Sequence, residues 1–520
     1  MNFKLQNNKA VILSAFIVGV MISTAIAALL TDIFENIQEG SRYPLTMYVL
    51  SDDDINPATW GRNFPLHYED YLKMKDENRP TNFGGSLPYS KLIRYPQLTR
   101  LWSGYAFAAD FNEERTHFYA QIDQRETFRT NREWLNRHGF PKFTGQPGAC
   151  MNCHSSWAPK LIRQLGWIQF NNTPYFNLVA MLDKAHGKTQ YGSQLGGACS
   201  DCHSPKDMSL RITRPAYIKA MIARGYTADI EHGIVATRAE MRSHVCQQCH
   251  VEYYFKKGTN ELTFPWNQWP KGKSLRIEMI ESYYDAIKNL FAGDWVHKES
   301  GAVMIKIQHP ETELFSSGIH ARSGVTCTDC HMPYRRSGGV KITNHNISSP
   351  MHRIEETCGS CHPLSADELK ARVEVIQFST ALALRNTEKA ILALVDDIVK
   401  ARKRIEAQKG ATSTQAVDTA LKAPRDYHRR AQLRWDFIFS ENSTGFHSPQ
   451  ESMRVLGQAT ELARQGQLAL QESLTRLNIS FTPSIGSGKI PAPGKPIPER
   501  HSPAGDPPPQ KLLDYDRTVK

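Results

Sequence analysis

Five segments of the form Cys-x-x-Cys-His run through the middle of the chain and consume all ten of its cysteines. They are Cys150, Cys153 and His154; Cys199, Cys202 and His203; Cys246, Cys249 and His250; Cys327, Cys330 and His331; and Cys358, Cys361 and His362. Two thiols three residues apart can each form a thioether with one vinyl group of a single haem. The adjacent histidine then lies beneath the iron and supplies an axial nitrogen. A lone Cys-x-x-Cys is often a zinc knuckle or a redox pair. Five pairs, each followed at once by His and with no spare cysteine, point to five covalently held haem c groups.

Five haems have ten axial positions, and the motifs fill five of them. Of nineteen histidines in the chain, fourteen remain. An electron carrier uses five more as distal ligands, whereas a catalyst leaves one iron open. Fourteen is ample for both, so counting leaves a pure electron conduit and a catalyst equally open. Local context has to discriminate. Two runs stand out: Val251-Glu252-Tyr253-Tyr254-Phe255, directly after His250, and Lys306-Ile307-Gln308-His309-Pro310-Glu311 in the longest gap between motifs.

With five haem motifs in this order, those two runs make the chain resemble the pentahaem cytochrome c nitrite reductases that form ammonia. The resemblance extends from about Trp60 to Leu477. It implies an open iron at the first motif, with Arg129, Tyr253 and His309 as catalytic side chains. An arginine offers a small anion fixed charge and paired donors. His and Tyr can supply protons near neutral pH. The resemblance also implies one calcium ion, held by the Glu252 carboxylate, the Gln308 amide oxygen and the backbone carbonyls of Tyr253 and Lys306. All of these are hard oxygen donors. It further implies distal ligands His117, His320, His345 and His447, on the third, fifth, second and fourth haems respectively. His67, His138, His186, His232, His244, His297, His352, His428 and His501 read as surface or second-shell groups.

The best-known members of that family carry Cys-x-x-Cys-Lys at the active haem, where this chain has His154. Some relatives use histidine there. Imidazole and amine differ as axial ligands, so potential and substrate affinity are open to change. The implied activity is six-electron reduction of nitrite to ammonium in the periplasm. The implied electron donor is a membrane-bound multihaem quinol dehydrogenase or a small soluble cytochrome. The alternatives are an electron-transfer cytochrome, or a relative acting mainly on hydroxylamine or sulfite.

The elements that position these residues are legible in outline. The expected fold is mainly α, a multihaem cytochrome c domain with little β followed by long C-terminal helices. Residues 1–30 read as a signal peptide or membrane anchor: Lys4 and Lys9 precede an apolar run from Ala10 to Leu30, and Ala25-Ile26-Ala27 resembles a cleavage site. The cleaved form is the favoured reading, and both forms place the body outside the cytoplasm. Residues 31–365 form the pentahaem domain, with 31–140 irregular and carrying short helices. In 366–477, Leu384, Ile391, Ile398 and Ile405 recur every seven residues, and Gly410 is a stop signal. A second helix is expected after Pro424. Ser448-Pro449-Gln450-Glu451 reads as a capping box opening a third, with Leu456, Ala463, Leu470 and Leu477 in heptad spacing. Together with the family resemblance these helices imply a homodimer. Residues 478–520 form a Pro-rich tail expected to be extended or disordered. The net charge of +11 is nearly offset by about ten haem propionates, so it argues for no nucleic-acid partner.

Overall fold

The computed structural model describes residues 8–41, 47–130, 132–137, 145–266, 269–410 and 413–484. The described chain is mainly α-helical, and its named strands pair only as five antiparallel two-stranded hairpins. Helix α1 (Asn8–Ser41) leads. From residue 47 to 365 the elements are short, as the Pro, Gly and aromatic content of the sequence predicts. Those used below are α2 (Ala120–Glu126), α3 (Met151–His154), α4 (Arg238–Gln247), α5 (Cys327–His331) and the hairpin β1 (Tyr334–Ser337) with β2 (Val340–Thr343).

Each Cys-x-x-Cys-His segment lies on or beside a single helical turn. On such a turn residues three apart share a face, so both thiols point the same way. Side chains fix where several turns start. Thr237 and Glu240 close a reciprocal cap on α4, at 2.8 and 3.2 Å. Asp329 accepts from the Thr326 N–H at 2.7 Å ahead of α5.

Three long helices, α6 (Ala366–Lys409), α7 (Ser413–Phe439) and α8 (Pro449–Arg476), pack together at the C-terminal end. The heptad residues Ile391, Ile398, Ile405, Leu456, Ala463 and Leu470 are all buried there. Ser365 and Glu368 cap the start of α6, and Gly410 ends it at φ +51°. The last region before the undescribed tail also docks. Ile479 and Phe481 are buried with Leu470 and Leu474, and Ser484 N–H donates to Asp397 at 2.8 Å. Of the expected disordered stretch, residues 478–484 are therefore ordered against the bundle, and 485–520 lie outside the described residues.

Other expectations are corrected. Pro424 does not precede the second helix but lies inside α7; burial of Leu421, Ala431 and Trp435 outweighs its missing N–H. Ser448 and Glu451 do not close a capping box. Ser448 accepts instead from Ser317 Oγ at 3.0 Å, and Glu451 is taken by Arg454 at 2.6 Å. His297 and His428 are fully buried rather than peripheral. Their rings meet at 4.9 Å, and Ser300 lies between their Nδ1 atoms.

Candidate haem sites and catalytic centre

A cavity of about 1650 Å³ runs through the body, lined by nine of the ten motif cysteines and by the four proximal histidines His154, His203, His250 and His331. Protein interiors rarely hold voids much larger than a water molecule. An interior space on this scale, walled by unpaired thiols and imidazoles, suits several covalently bound haems. The motifs also adjoin one another: Cys153 of the first meets Cys249 of the third, and Cys246 of the third meets Cys327 of the fourth.

The imidazoles supply a sharper test of fit. Two ligands on opposite sides of one metal, each bonded at about 2 Å with its ring centre about 1 Å further on, stand roughly 6 Å apart. Four pairs meet that distance: His117 and His250 at 5.9 Å, His203 and His345 at 6.2 Å, His331 and His447 at 6.4 Å, and His320 and His362 at 6.4 Å. Each joins one motif histidine to one of the four candidate distal histidines. Several hold Nδ1 against a carbonyl, which leaves Nε2 for a metal. His203 donates to Met208 O at 2.9 Å, His345 to Thr343 O at 2.9 Å, and His331 to Ser348 O at 3.3 Å.

His154 differs. Its Nδ1 donates to Ala120 O in α2 at 3.2 Å, so Nε2 is left in the same way. Among the described residues, however, no second histidine ring stands opposite it. Arg129 and Tyr253 lie near Cys150 of the same motif, and His309 lies near Cys153 and Glu114; the His309 ring also stands 5.2 Å from that of His250.

Arg129 is buried, against the ordinary expectation for an arginine in a charged stretch. Asp110 accepts from its backbone N–H at 3.2 Å, and Thr127 Oγ1 accepts from its guanidinium at 3.0 Å. The guanidinium also lies 4.5 Å from the centre of the Phe107 ring. Tyr253 has its hydroxyl pKa pushed well up by burial and by the nearby Cys150 and Cys153; it stays a neutral donor. His309 Nδ1 donates to Glu311 at 2.8 Å. Burial works against its charge, but the Glu311 carboxylate overrides this and lifts the imidazole to about 9. Glu311 is held at about 2 against its own burial by the same pair. The centre thus combines a fixed cation, a neutral phenol and a proton-bearing imidazole.

Three of the four calcium candidates, Glu252, Lys306 and Gln308, adjoin one another. Gln308 N–H donates to Glu252 at 2.6 Å, and the Gln308 amide lies 3.4 Å from Lys306 O. Glu252 is fully buried, and burial together with neighbouring Glu313 pushes its pKa well up. Asp294, which accepts from Lys306 N at 2.7 Å, is lifted by burial to about 6, and Glu313 to about 8. The Lys306 ammonium is committed to Asp436 at 3.0 Å. Buried acids outnumber the cations beside them, and Glu313 Oε2 has no partner. A hard divalent cation fits that charge imbalance.

Sequence reading missed Asp294, Glu313, Glu114 and the roles of Glu311 and Glu441. Glu114 lines the cavity and lies 3.9 Å from His154 Nδ1. Burial would raise it, but His154, His309 and Arg129 together keep it below the usual carboxylate value. None sits in a recognisable motif, and only Glu311, two residues from His309, left a local signal.

The cytochrome c552 family model matches residues 56–492. Cytochrome c-552 of Parabacteroides distasonis is 38% identical over 419 residues, covering 80% of this chain and 76% of the relative. Cytochrome c-552 of Porphyromonas gingivalis is 35% identical over 440 residues, covering 83% and 80%. Among solved structures, the cytochrome c nitrite reductase of Desulfovibrio desulfuricans superposes with a TM-score of 0.70 at 28% identity, covering 82% of this chain and 88% of that one. That enzyme has two calcium sites in its catalytic subunit.

Proposed function

The chain belongs to the cytochrome c552 family, and we propose that it is an exported, ammonia-forming nitrite reductase whose reaction takes place at the first motif. The balance is one nitrite, six electrons and eight protons to one ammonium and two waters. The observation that carries this reading is the contrast among the imidazoles. Four motif histidines face a second histidine at ligand distance, while the first motif, which bears His154, has Arg129, Tyr253 and His309 near its cysteines.

Cys150, Cys153 and His154 would hold a haem, which would supply the electrons and a metal to which an anion could bind. The protein does the rest. Arg129 neutralises and orients the anion through aligned N–H donors. His309 carries a proton at Nε2, directed by the Glu311 carboxylate on Nδ1, and delivers it to the reacting oxygen or nitrogen. Tyr253 donates a hydrogen bond from a phenol that burial keeps protonated. Glu252 and Gln308, with the carbonyls of Tyr253 and Lys306, would hold one calcium, which would tie together the segments bearing Tyr253 and His309. The pairs His203 and His345, His250 and His117, His331 and His447, and His362 and His320 would hold four further haems, which would supply relay and storage of electrons from a membrane-bound quinol dehydrogenase or a small cytochrome. Residues 31–365 carry the haems. Residues 366–477 supply His447 and the face on which two copies pair, where Val375, Leu382, Met453 and Leu468 are exposed.

The test is nitrite turnover by the holoprotein with a reduced viologen dye, scored as ammonium, together with electron paramagnetic resonance. One high-spin and four low-spin haems with stoichiometric ammonium are expected. A protein with only low-spin haems that makes no ammonium would overturn the reading in favour of an electron conduit. Faster turnover of hydroxylamine or sulfite than of nitrite would overturn the substrate assignment.

A further inference from the structure

Among the described residues, Val11–Glu35 of α1 is the one stretch long and apolar enough to cross a bilayer, and the body buries none of it. At 1.5 Å per residue its 25 residues reach about 38 Å, against a hydrocarbon core of about 30 Å. A signal that is cut away has an apolar run of about 7–15 residues that ends at the cleavage site. Here the run from Ala10 to Leu30 is longer. Ala25-Ile26-Ala27 sits within continuous helix that carries on to Ser41 without a proline. The hydroxyls inside the helix are satisfied, since Thr24 donates to Val20 O and Thr31 to Ala27 O, both at 2.8 Å. Such back-bonding lets a hydroxyl sit in lipid without an unmet donor. The flanks differ in sign, with Lys4 and Lys9 before the run and Asp32, Glu35 and Glu39 after it. That asymmetry puts the N-terminus on the cytoplasmic side and the body outside.

The outer end of α1 meets the body at a hairpin. It packs against β2, and Asp32 pairs with Arg336 of β1 at 3.6 Å. The hairpin's inner side is anchored: Arg335 grips Asp70 through two bonds of 2.8 Å, and Ile342 is buried. Its outer side carries Tyr334, Arg336 and Lys341, with the Lys341 ammonium 4.9 Å from the Tyr334 ring centre. A tyrosine among basic groups beside the end of an apolar helix is the composition of a membrane interface.

We propose that α1 is retained in the mature protein as a single membrane span, and that the β1–β2 hairpin rests on the outer leaflet with its basic side against anionic phospholipid. The span sets the tether, and the Asp32–Arg336 contact sets which face of the haem-bearing body is turned to the bilayer. The proposal is independent of the reaction catalysed.

The holoprotein is exported in a Gram-negative host, its membranes are washed with alkaline carbonate, and the intact mass is measured. Haem protein in the pellet with the apolar segment still attached is expected. A carbonate-soluble mature chain beginning near residue 28 overturns the retained span. Hydrogen–deuterium exchange is then compared in nanodiscs of anionic and of zwitterionic phospholipid. Peptides covering 334–343 are expected to exchange several-fold more slowly in the anionic discs. The paired substitutions Arg336→Glu and Lys341→Glu are expected to abolish the difference while α1 stays protected. Equal exchange in the two lipids, with α1 protected in both, overturns the seat of the hairpin.

Discussion

The Glu441 carboxylate lies 2.5 Å from Nδ1 of His447, the imidazole that faces His331. Glu441 is buried, and Ser443 holds it through its N–H at 3.1 Å and its hydroxyl at 2.8 Å. Burial disfavours charge on His447, yet Glu441 raises its pKa. A carboxylate beside Nδ1 makes Nε2 a stronger donor, and a stronger donor stabilises the oxidised form of a metal. The fourth haem is therefore expected to have a lower potential than it would with a carbonyl-bonded histidine. Glu441→Gln should raise the midpoint potential of one low-spin haem in a spectroscopic redox titration and reduce turnover by about 10-fold. Five unchanged potentials in a holoprotein that keeps all its haems would refute this role.

The histidines and the acid behind them were not equally legible. His447, like His117, His320 and His345, was singled out through the family resemblance, by its neighbours Gly445 and Phe446. Glu441 was not, because its meaning depends on a side chain six residues away reaching back across a turn. Asp294 and Glu313 were still less legible: they reach the calcium candidates only through tertiary packing around Glu252. Long-period features fared best. The seven-residue spacing from Leu384 to Ile405 marks one buried stripe, and burial holds along it. Pro424 misled because local propensity for a helix break lost to packing of the whole helix.

His309 and Glu311 predict a displaced pH profile. With its pKa at about 9, His309 remains a proton donor through neutrality, and the limb of activity that needs it should fail only as pH rises through that value. Glu311→Gln removes the raising charge, so the limb should move down toward the ordinary histidine value of 6.5. His309→Asn should cost about 100-fold or more in turnover while keeping five haems. The pair's contribution to stability follows the same signs. The His309 part is fully present below 6.5 and lost as pH rises through about 9. The Glu311 part is present above 4.5 and lost as pH falls through about 2. A Glu311→Gln profile that overlays the parent would exclude the coupling.

Calcium should bind in competition with protons. Burial pushes the pKa values of Glu252 and Asp294 up, the latter to about 6, and a calcium ligand must be ionised. Affinity measured by titration calorimetry on chelator-treated holoprotein should fall as pH is lowered from about 8 to about 6. With free calcium at about 100 times its dissociation constant, the ion should stabilise the fold by about 2.7 kcal/mol. Chelation should therefore lower the melting temperature and the turnover together. Glu252→Ala should remove the calcium response; a melting temperature indifferent to chelator in the parent would show that these residues hold no ion.

Gly466 tests the bundle that carries His447. It sits on α8 where the three long helices come closest. A methyl group there would meet Leu394 Cδ2 of α6 at 2.7 Å and Tyr427 Cβ of α7 at 2.9 Å. The leucine tip can rotate, but Tyr427 Cβ is fixed to its backbone, so α7 and α8 would have to separate by a few tenths of an ångström. In an exposed helix a glycine-to-alanine change is favourable by about 1 kcal/mol, whereas overpacking a filled core costs about 1–3 kcal/mol. The clash is with two helices at once, so overpacking should win, and Gly466→Ala should lower the melting temperature. The atoms nearest the added carbon belong to α6 and α7, so the spectrum of the low-spin haems should be unchanged at temperatures below the transition. Gly457, also on α8 but with no atom within 4 Å of the added carbon, is the control: the same substitution there should be neutral or stabilising. A stabilised Gly466→Ala protein would mean that α6, α7 and α8 pack less tightly than these distances require.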